Sequence, residues 1–198
     1  MNTAQILLLS GPPASGKDTV SHELINRNNR FVLFKKHRAG GETNSGYIDI
    51  STAQFKEMEA QNKFIQSHLR YGRLYGVSRD GIEKTLAYGK IPIIHTGRIE
   101  NLVKLKDVFG QKCIAIHLWE HRDILAERIR KRHNNAEEIS ARITALDEEI
   151  YDQSKKKAMF SNIDQYIRNT SLEQTANRIC NILKVPADPE CAETNLEI

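Results

Sequence analysis

Cysteine is scarce in this chain, whose 198 residues include only Cys113, Cys180 and Cys191. Three cysteines so far apart fit neither a disulfide framework nor the spacing of a metal site, so we expect a reducing compartment, the cytoplasm. Long hydrophobic runs are lacking too, because no apolar stretch approaches the roughly 20 residues that a membrane-spanning helix needs. We therefore expect no membrane partner.

A large excess of charge of one sign is also missing. The chain carries 29 Lys and Arg against 25 Asp and Glu, for a formal net charge of +4 at pH 7. A balance this mild suits binding of small anionic molecules, whereas nucleic-acid binding calls for a concentrated basic patch. Basic residues in 121–157 are mixed with acidic ones. We therefore expect no nucleic-acid partner.

The stretch Gly11–Thr19 is the most informative feature that the chain does contain. It reads Gly-Pro-Pro-Ala-Ser-Gly-Lys-Asp-Thr, follows the apolar run Ile6–Leu9 and precedes a predicted helix. Gly11 and Gly16 let the backbone turn so that several N–H groups point at one anion, and the positive end of the helix adds to that field. Lys17 adds a mobile charge for the outer phosphates. The stretch predicts a nucleotide-phosphate loop.

The loop also assigns roles to individual residues. We expect Lys17 to contact the β- and γ-phosphates, and Thr19 with the N–H groups of residues 14–19 to hold the inner phosphates. The candidate nucleotide-binding residues are therefore Gly11, Ala14, Ser15, Gly16, Lys17, Asp18 and Thr19.

Asp18 stands where a hydroxyl residue usually faces Mg²⁺. It either holds Mg²⁺ through water or is simply an acidic residue favoured at a helix N-terminus. A second metal-binding carboxylate is not evident, because the strand Ile91–Ile94 leads into His95. We therefore expect ATP oxygens and water to hold most of the metal's coordination sphere.

Hydrophobic patterning predicts strands that alternate with helices. Continuous apolar strands of this kind indicate an α/β fold with a mostly parallel sheet covered on both faces, whose ligands bind at the carboxyl ends of the strands. Two insertions, an antiparallel excursion within 35–77 and a helical arm at 121–157, can close over that edge. The predicted strands are 5–10, 31–34, 91–94, 113–118 and 165–168, and the predicted helices are 17–28, 51–60, 78–89, 99–109, 121–132, 136–157 and 171–183.

An ordered series of motifs gives the chain a family resemblance over about residues 5–183. The series resembles the guanylate-kinase-like branch of the nucleoside monophosphate kinases. Three details are closer to the ribose 1,5-bisphosphate phosphokinases: Gly-Lys-Asp in the loop, Tyr75-Gly76-Val77, and Gly97-Arg98. The motifs are the phosphate loop, Tyr47-x-x-x-Ser51-x-x-x-Phe55, Phe64 leading to Gly72-x-x-Tyr75-Gly76, Gly89-Lys90, Arg128-x-x-x-Arg132, Arg142 and Asn169.

This resemblance implies a three-layer α/β/α phosphate-loop kinase that spans residues 1–184. It implies an acceptor-binding insertion at about 35–77 and a lid at about 130–142, and residues 185–198 are expected to be a disordered tail. ATP and Mg²⁺ are the implied cofactors, and a small phosphorylated molecule is the implied acceptor. The γ-phosphoryl group passes to an existing phosphate, and side chains contribute chiefly by positioning and by neutralising charge.

Lid arginines are implied at Arg132 and Arg142, with Arg128 one turn earlier. A guanidinium group suits phosphate because its donors form a rigid fork. The alternative is that Arg128, Arg130, Lys131 and Arg132 form one solvated helix face.

The acceptor's phosphate is expected to meet Arg38, Tyr47 and Tyr75, which match the family positions for that role. Asn169 matches a position that contacts the ATP base or ribose. Arg98 follows a strand end, so it is either a further anion-binding residue or a partner in a surface salt bridge.

The chain departs from guanylate kinases where those enzymes recognise guanine. They carry Glu at Gln66, acidic residues at His95 and Gly97, and a hydroxyl residue at Val77. An ionised carboxylate only accepts hydrogen bonds, which suits the N–H groups of guanine, so its loss weakens guanine selectivity. Gln66 and His95 stay candidate substrate-binding residues, and His95 is alternatively a structural histidine.

We therefore expect a ribose phosphate such as ribose 1,5-bisphosphate, or an unusual nucleoside monophosphate, as acceptor. The main alternative is GMP. A non-catalytic guanylate-kinase-like interaction module is a rival of another class, but such modules typically lose the phosphate loop, which this chain keeps. A polynucleotide 5′-end kinase would need a basic groove with stacking aromatic residues.

Overall fold

The computed structural model describes residues 5–40, 46–70, 72–186 and 188. Of the predicted tail, only Val185, Pro186 and Asp188 lie among them. The strands are β1 (Ile6–Ser10), β2 (Phe31–Leu33), β3 (Lys36–Ala39), β4 (Tyr47–Asp49), β5 (Phe64–Arg70), β6 (Arg73–Ser78), β7 (Ile91–His95), β8 (Cys113–Trp119) and β9 (Gln165–Arg168). The α-helices are α1 (Lys17–Arg27), α2 (Thr52–Ala60), α3 (Arg79–Ala87), α4 (Ile99–Phe109), α5 (Arg122–Arg132), α6 (Ala136–Lys155), α7 (Lys157–Phe160) and α8 (Leu172–Leu183).

The main sheet has five strands in the order β2-β7-β1-β8-β9, and every neighbouring pair is parallel. β1 is buried along its whole length because helices cover both faces. Leu7 and Leu9 pack on the side of α1 and α8, whereas Ile6 and Leu8 pack on the side of α3 and α4. This arrangement confirms the expected α/β class and places the carboxyl ends of β1, β7 and β8 side by side.

A second sheet occupies the insertion between β2 and α3, with strands in the order β4-β3-β6-β5. The antiparallel pairing of β5 with β6 fits the antiparallel excursion expected within 35–77, whereas no polar strand such as β3 or β4 is predicted there. β3 reads Lys-His-Arg-Ala, so it carries no apolar run, and it forms because it pairs with β6 and β4. Helix α2 begins at a capping box formed by Ser51 and Gln54.

Helices α5 and α6 form an arm that packs against the phosphate loop. Leu125, Ile129 and Leu146 make a small buried cluster, with Ile139 and Ile143 packed against it. Ala14 of the loop belongs to the same cluster, so the arm and the loop share one packed surface. The predicted helix 136–157 is interrupted after Lys155, where α7 follows. Among the helices of the described residues, none is both long and apolar enough to cross a membrane.

Candidate functional site

The phosphate loop lies between the end of β1 and the start of α1, as the sequence predicts. Gly16 is the N-cap of α1 and has a left-handed backbone, with φ 95°. Gly11 has φ 138°, and a side chain there would collide with the carbonyl oxygen of Leu118. A side chain at Gly16 would collide with the amide of Asn169. Both glycines are therefore required by conformation and by space.

Lys17 folds back over the loop. Its Nζ donates hydrogen bonds to the carbonyl oxygens of Gly11 and Pro12, at 2.6 and 2.9 Å, and lies 3.3 Å from Ser15 Oγ. The ammonium group is thus held at the mouth of the anion cradle by backbone carbonyls. A polyphosphate is a stronger partner than a neutral carbonyl because its hydrogen bonds are charge-assisted.

Two residues from distant parts of the chain brace the loop. Asn169 Nδ2 donates to the Ser15 carbonyl at 2.8 Å, and Asn169 Oδ1 accepts from Thr175 Oγ1 at 3.0 Å. Arg128 donates to the carbonyl oxygens of Ala14 and Asn169, at 3.4 and 3.3 Å. The Asn169 amide is engaged at both ends, so in this structure it supports the loop. Contact of Asn169 with the ATP base or ribose stays a prediction.

His95 ends β7 and contacts the first two turns of α1. His95 Nε2 lies 2.8 Å from Ser21 Oγ, and His95 Nδ1 lies 3.5 Å from Asp18 Oδ1. Burial is the main cause that lowers the pKa of His95 to about 4, and Lys17 and Lys36 lower it further while Asp18 raises it. The His95 ring is therefore neutral at pH 7. The Asp18 side chain beside it is 79% exposed to solvent.

A second neutral histidine lies behind the loop. His117 Nδ1 is 2.9 Å from Ser10 Oγ, and the two residues are register partners at the carboxyl ends of β8 and β1. Burial lowers the pKa of His117 to about 4, with a smaller contribution from Lys17. This pair links the two strands from which the loop and α5 depart.

The second sheet carries an aromatic and cationic cluster. Arg38 is buried, its Nε donates to Asp49 Oδ1 at 2.7 Å, and its guanidinium lies 4.5 Å from the centre of the Tyr47 ring. Tyr75 lies beside Tyr47, with ring centres 5.5 Å apart. The hydrogen bond to Asp49 raises the pKa of Arg38 further, so its charge is permanent. The structure therefore brings together the three residues expected to hold the acceptor's phosphate.

Gln66 lies on β5, two residues before His68, which stacks on Tyr75. The Gln66 side chain is 2% exposed, and neither its Nε2 nor its Oε1 has a hydrogen-bond partner. A buried amide without partners is costly, about 1–3 kcal/mol for each unsatisfied group. The second sheet therefore holds a buried polar group that a bound molecule or water would satisfy.

A cleft of about 980 Å³ separates the second sheet from α6. Arg98 and Gly97 line it at the start of α4, and Leu69 lines it from the tip of the second sheet. Arg98 is exposed, so its guanidinium group is accessible to an anion in the cleft. Lys36 ties the two sheets together beside this cleft, because its Nζ donates to the His95 carbonyl at 2.5 Å.

The three expected lid arginines occupy different surroundings. Only Arg128 contacts the loop. Arg132 is exposed at the last residue of α5, and Arg142 donates from Nε and Nη2 to Glu138 Oε1 at 3.0 and 2.9 Å. Thr19 is exposed on α1. Phosphate contacts by Arg132, Arg142 and Thr19 stay predictions.

Several residues of the site were missed at the level of sequence. Ser21 lies four residues after Lys17, so helical spacing alone places the two residues on the same face of α1. Glu120 is buried after β8 and accepts from the His121 N–H and from Arg168 Nε, each at 2.8 Å. Burial alone would raise the pKa of Glu120, but these hydrogen bonds outweigh it and lower the pKa.

The donor set suits Mg²⁺ that is held mostly by a nucleotide. The described residues contain no group of three or more His, Cys, Asp or Glu side chains placed to hold a metal. Asp18 is nevertheless an exposed carboxylate directly after Lys17. Mg²⁺ commonly binds through one or two carboxylates, water and substrate phosphates, so the residues fit such an ion.

A parallel sheet, a glycine-bounded loop with Lys17 and a following helix define the class of phosphate-loop α/β proteins. The family model described as guanylate kinase matches residues 3–185. The chain therefore belongs to the guanylate kinase family, and this confirms the expected small-molecule kinase of the phosphotransferase class.

Individual relatives agree with that family. A guanylate kinase of Carboxydothermus hydrogenoformans is 29% identical over 192 residues, which cover 92% of this chain and 89% of the relative. A guanylate kinase of Prochlorococcus marinus subsp. pastoris is 23% identical over 188 residues, which cover 92% of this chain and 98% of the relative. The crystal structure of guanylate kinase from Anaplasma phagocytophilum matches the fold with a TM-score of 0.65 and 21% identity, covering 96% of this chain and 89% of that chain.

These relatives bear on the expected acceptor. The two sequence relatives are named guanylate kinase, and neither they nor the family model supports the expected closer likeness to ribose 1,5-bisphosphate phosphokinases. The comparisons thus favour the GMP alternative over the ribose phosphate.

Proposed function

We propose that this protein transfers the γ-phosphoryl group of Mg-ATP to the phosphate of GMP, forming ADP and GDP. One observation supports the proposal: two separate clusters whose residues suit anions occur in one chain of this family. The loop closed by Lys17 serves the donor, and the buried Arg38 with Tyr47 and Tyr75 serves the acceptor.

On the donor side, Lys17 would exchange its carbonyl partners for the β- and γ-phosphates. The N–H groups of the loop and Thr19 would hold the inner phosphates. Mg²⁺ would neutralise charge on the transferring group, with Asp18 as the nearest protein carboxylate. The free, buried thiols of Cys113 and Cys180 suit the cytoplasmic location that we propose.

On the acceptor side, we propose that the insertion at about residues 35–77 forms the acceptor-binding unit. Arg38 would bind the acceptor's phosphate through its guanidinium fork while Asp49 holds that fork in place. Arg98 would supply a further guanidinium group to an anion in the cleft that it lines. We propose that residues 130–142 act as a lid, which carries Arg132 and Arg142 onto the phosphates when both substrates are bound.

The test is a panel of acceptors with labelled ATP, read by product mass. The panel contains GMP, AMP, IMP, ribose 5-phosphate and ribose 1,5-bisphosphate. We expect a new diphosphate from GMP that depends on Mg²⁺ and is lost in Lys17→Met. Absence of turnover with GMP would contradict the proposed reaction.

A phosphorylated ribose is the second candidate acceptor, because of the unpaired amide of Gln66 and the placement of His95 where guanylate kinases carry an acidic residue. An amide both donates and accepts, so it does not select the N–H edge of guanine as a carboxylate does. Turnover of ribose 1,5-bisphosphate above that of GMP in the same panel would favour this candidate. Turnover of GMP alone would exclude it.

A further inference from the structure

A cavity of about 560 Å³ lies where the second sheet meets the main sheet. The chain passes from the main sheet to the second sheet at Phe34 and Lys35 and returns at Ser78, and all three residues line this cavity. Its other walls include β2, the edge strand of the main sheet, Met58 of α2 and Lys84 of α3. We call this space the junction cavity. A molecule bound there would contact both sheets at once.

The junction cavity lies on the face of the second sheet opposite the residues proposed to bind the acceptor's phosphate. His37 and Ile48 line it and are register partners on β3 and β4. Their chain neighbours differ, because Arg38 contacts Tyr47 and Asp49, and successive side chains of a strand point to opposite faces of a sheet. Among the described residues, the cavity shares none of its lining with the cleft of about 980 Å³ or with the phosphate loop.

One wall of the junction cavity is apolar. Leu33, Phe34, Ile48 and Met58 all contribute to it, and the Ile48 side chain is 43% exposed. Exposed apolar surface in a concave site gains free energy when an apolar group covers it. The volume of the cavity lies within the range of about 300–1,000 Å³ that is typical of pockets for small molecules. This wall therefore suits the apolar body of a small molecule.

The rim of the junction cavity is cationic. Lys35, Lys63 and Lys84 line it and are exposed, and Asp80 is the one carboxylate among the described lining residues. None of the three ammonium groups forms a hydrogen bond or an ion pair with another described residue. Like charges around one cavity repel one another, and an anion among them is attracted by all three. A phosphate group, which offers several charged acceptor oxygens, is well matched to these donors.

His37, which also lines the junction cavity, has a polar atom without a partner. Its Nδ1 is buried and has no hydrogen-bond partner among the described residues. The ring packs against Phe64, with ring centres 5.5 Å apart, and burial lowers the pKa of His37, so the ring is neutral at pH 7. Each nitrogen of a neutral imidazole either donates or accepts a hydrogen bond. A hydroxyl group can do both, so a ligand that carries one can satisfy this atom.

We propose that the junction cavity is a binding site for a small organic phosphate. Its phosphate group would lie among the three lysines of the rim. Its apolar body would cover Ile48 and Met58, and a hydroxyl group would meet Nδ1 of His37. This inference goes beyond the proposed function and does not rest on it, because none of these residues belongs to the proposed donor or acceptor site.

The experiment uses phenyl phosphate as the probe and methionine methyl groups as reporters. Phenyl phosphate is titrated into the full-length protein labelled with ¹³C at these methyl groups, and their resonances are followed by nuclear magnetic resonance. Met58 lines the junction cavity, whereas Met159 is exposed on α7 and lies outside it. We expect a saturable shift of the Met58 resonance, assigned with Met58→Leu, and no shift of the Met159 resonance.

Two further probes separate the contribution of the charge from that of the apolar body. Inorganic phosphate carries the charge alone, and benzyl alcohol carries the ring and a hydroxyl group without the charge. We expect each to bind more weakly than phenyl phosphate at Met58, because each makes only part of the contacts. Binding of benzyl alcohol as tight as that of phenyl phosphate would overturn the assignment of a phosphate group to the lysines.

The double variant Lys63→Gln/Lys84→Gln tests the cationic rim. A hydrogen bond to a charged group is worth roughly tenfold in affinity, so we expect about a tenfold loss of phenyl phosphate binding or more. Lys104→Gln/Lys112→Gln is the matched control, because it removes the same charge from exposed positions that do not line the cavity. We expect this control to bind phenyl phosphate as the wild type does. Circular dichroism shows whether each variant folds.

Three results would overturn the inference. The first is the absence of a saturable Met58 shift in the wild type, which is expected of a cavity that holds water only. The second is equal affinity of the two double variants for phenyl phosphate. The third is loss of the Met58 shift in Lys17→Met, which would show that the probe acts through the phosphate loop. None of these measurements involves turnover, so failure of the proposed function in the acceptor panel is distinguishable from failure here.

Discussion

The phosphate loop and the second sheet, which we propose binds the acceptor and call the acceptor sheet, differ in how fully their polar side chains are hydrogen-bonded. At the loop, Lys17 bonds two carbonyl oxygens and Asn169 is engaged at both ends of its amide. On the acceptor sheet, Gln66 is as deeply buried as Arg38, yet neither of its polar atoms has a partner. The Lys17 and Asn169 side chains at the loop are partnered before any ligand binds, whereas the Gln66 amide is not.

This difference has a thermodynamic meaning. Unsatisfied buried polar groups lower the stability of the free protein, and a ligand that satisfies them recovers that free energy on binding. A loop whose side chains are hydrogen-bonded in the free protein suits a nucleotide that many proteins bind. A buried amide without a partner, such as that of Gln66, suits a surface that selects one acceptor. The four predictions below test this contrast, beginning with the largest expected effect.

Lys17→Met should abolish most of the activity while the fold persists. The substitution removes the charge that neutralises the transferring phosphates, and loss of one such group typically costs about 10²–10³ in rate. The measurement is kcat/KM with the best acceptor of the panel, alongside the thermal midpoint. Lys104→Met, at an exposed position of α4, is the control. Equal activities of the two variants would argue against a role of the loop in catalysis.

Arg38→Lys should affect the acceptor and not the donor. Lysine keeps the charge but lacks the planar fork that Asp49 holds, so a loss of about 1–3 kcal/mol is expected, or roughly 10–100-fold in acceptor KM. The KM for ATP should stay unchanged. Arg79→Lys, at an exposed position that starts α3, should change neither constant. A change in the KM for ATP instead would show that Arg38 acts on the donor, which would contradict the proposed division of roles between the phosphate loop and the second sheet.

Lowering the pH should destabilise the protein through protonation of His117, which lies behind the phosphate loop. His117 is buried with a pKa of about 4, whereas a histidine of the unfolded chain has a pKa near 6.5. Between these values the unfolded chain binds a proton that the folded protein does not, so stability is full above pH 6.5 and falls as the pH drops toward 4. The expected loss at pH 5 is about 2 kcal/mol from this residue.

Urea unfolding at pH 7 and pH 5 measures this loss. His117→Asn keeps a polar partner for Ser10 but cannot titrate, so its stability should vary less between the two pH values than that of the wild type. An identical pH dependence of the two proteins would show that His117 is not the titrating group.

Most of the main sheet and the loop could be predicted from the sequence because their signals are local. β1 and β8 are largely apolar runs, and the spacing of Gly11, Gly16 and Lys17 alone predicts the phosphate loop. β3 gave no such signal, since its polar residues become a strand only through pairing with β6 and β4.

The fine structure of the site depends on long-range register, which a single sequence does not reveal. Ser10 and His117 meet because β1 and β8 pair in one register. The bracing of the loop by Asn169 joins residues 154 positions apart. Helical spacing did hold one usable signal, because Ser21 lies one turn after Lys17 on α1.

Gln66→Met should give the smallest of the four effects. Unlike the other changes, it should stabilise the folded protein. Methionine has a similar shape and no strong hydrogen-bonding groups, so the free energy of unfolding should rise by about 1–2 kcal/mol. Gln111→Met, at an exposed position, is the control and should leave stability unchanged.

The most direct test of the contrast is the unfolding free energy of Gln66→Met, measured with and without the best acceptor of the panel. The account predicts a more stable protein without acceptor and a smaller stabilisation by acceptor than in the wild type. A variant less stable than the wild type, with undiminished stabilisation by the acceptor, would contradict it.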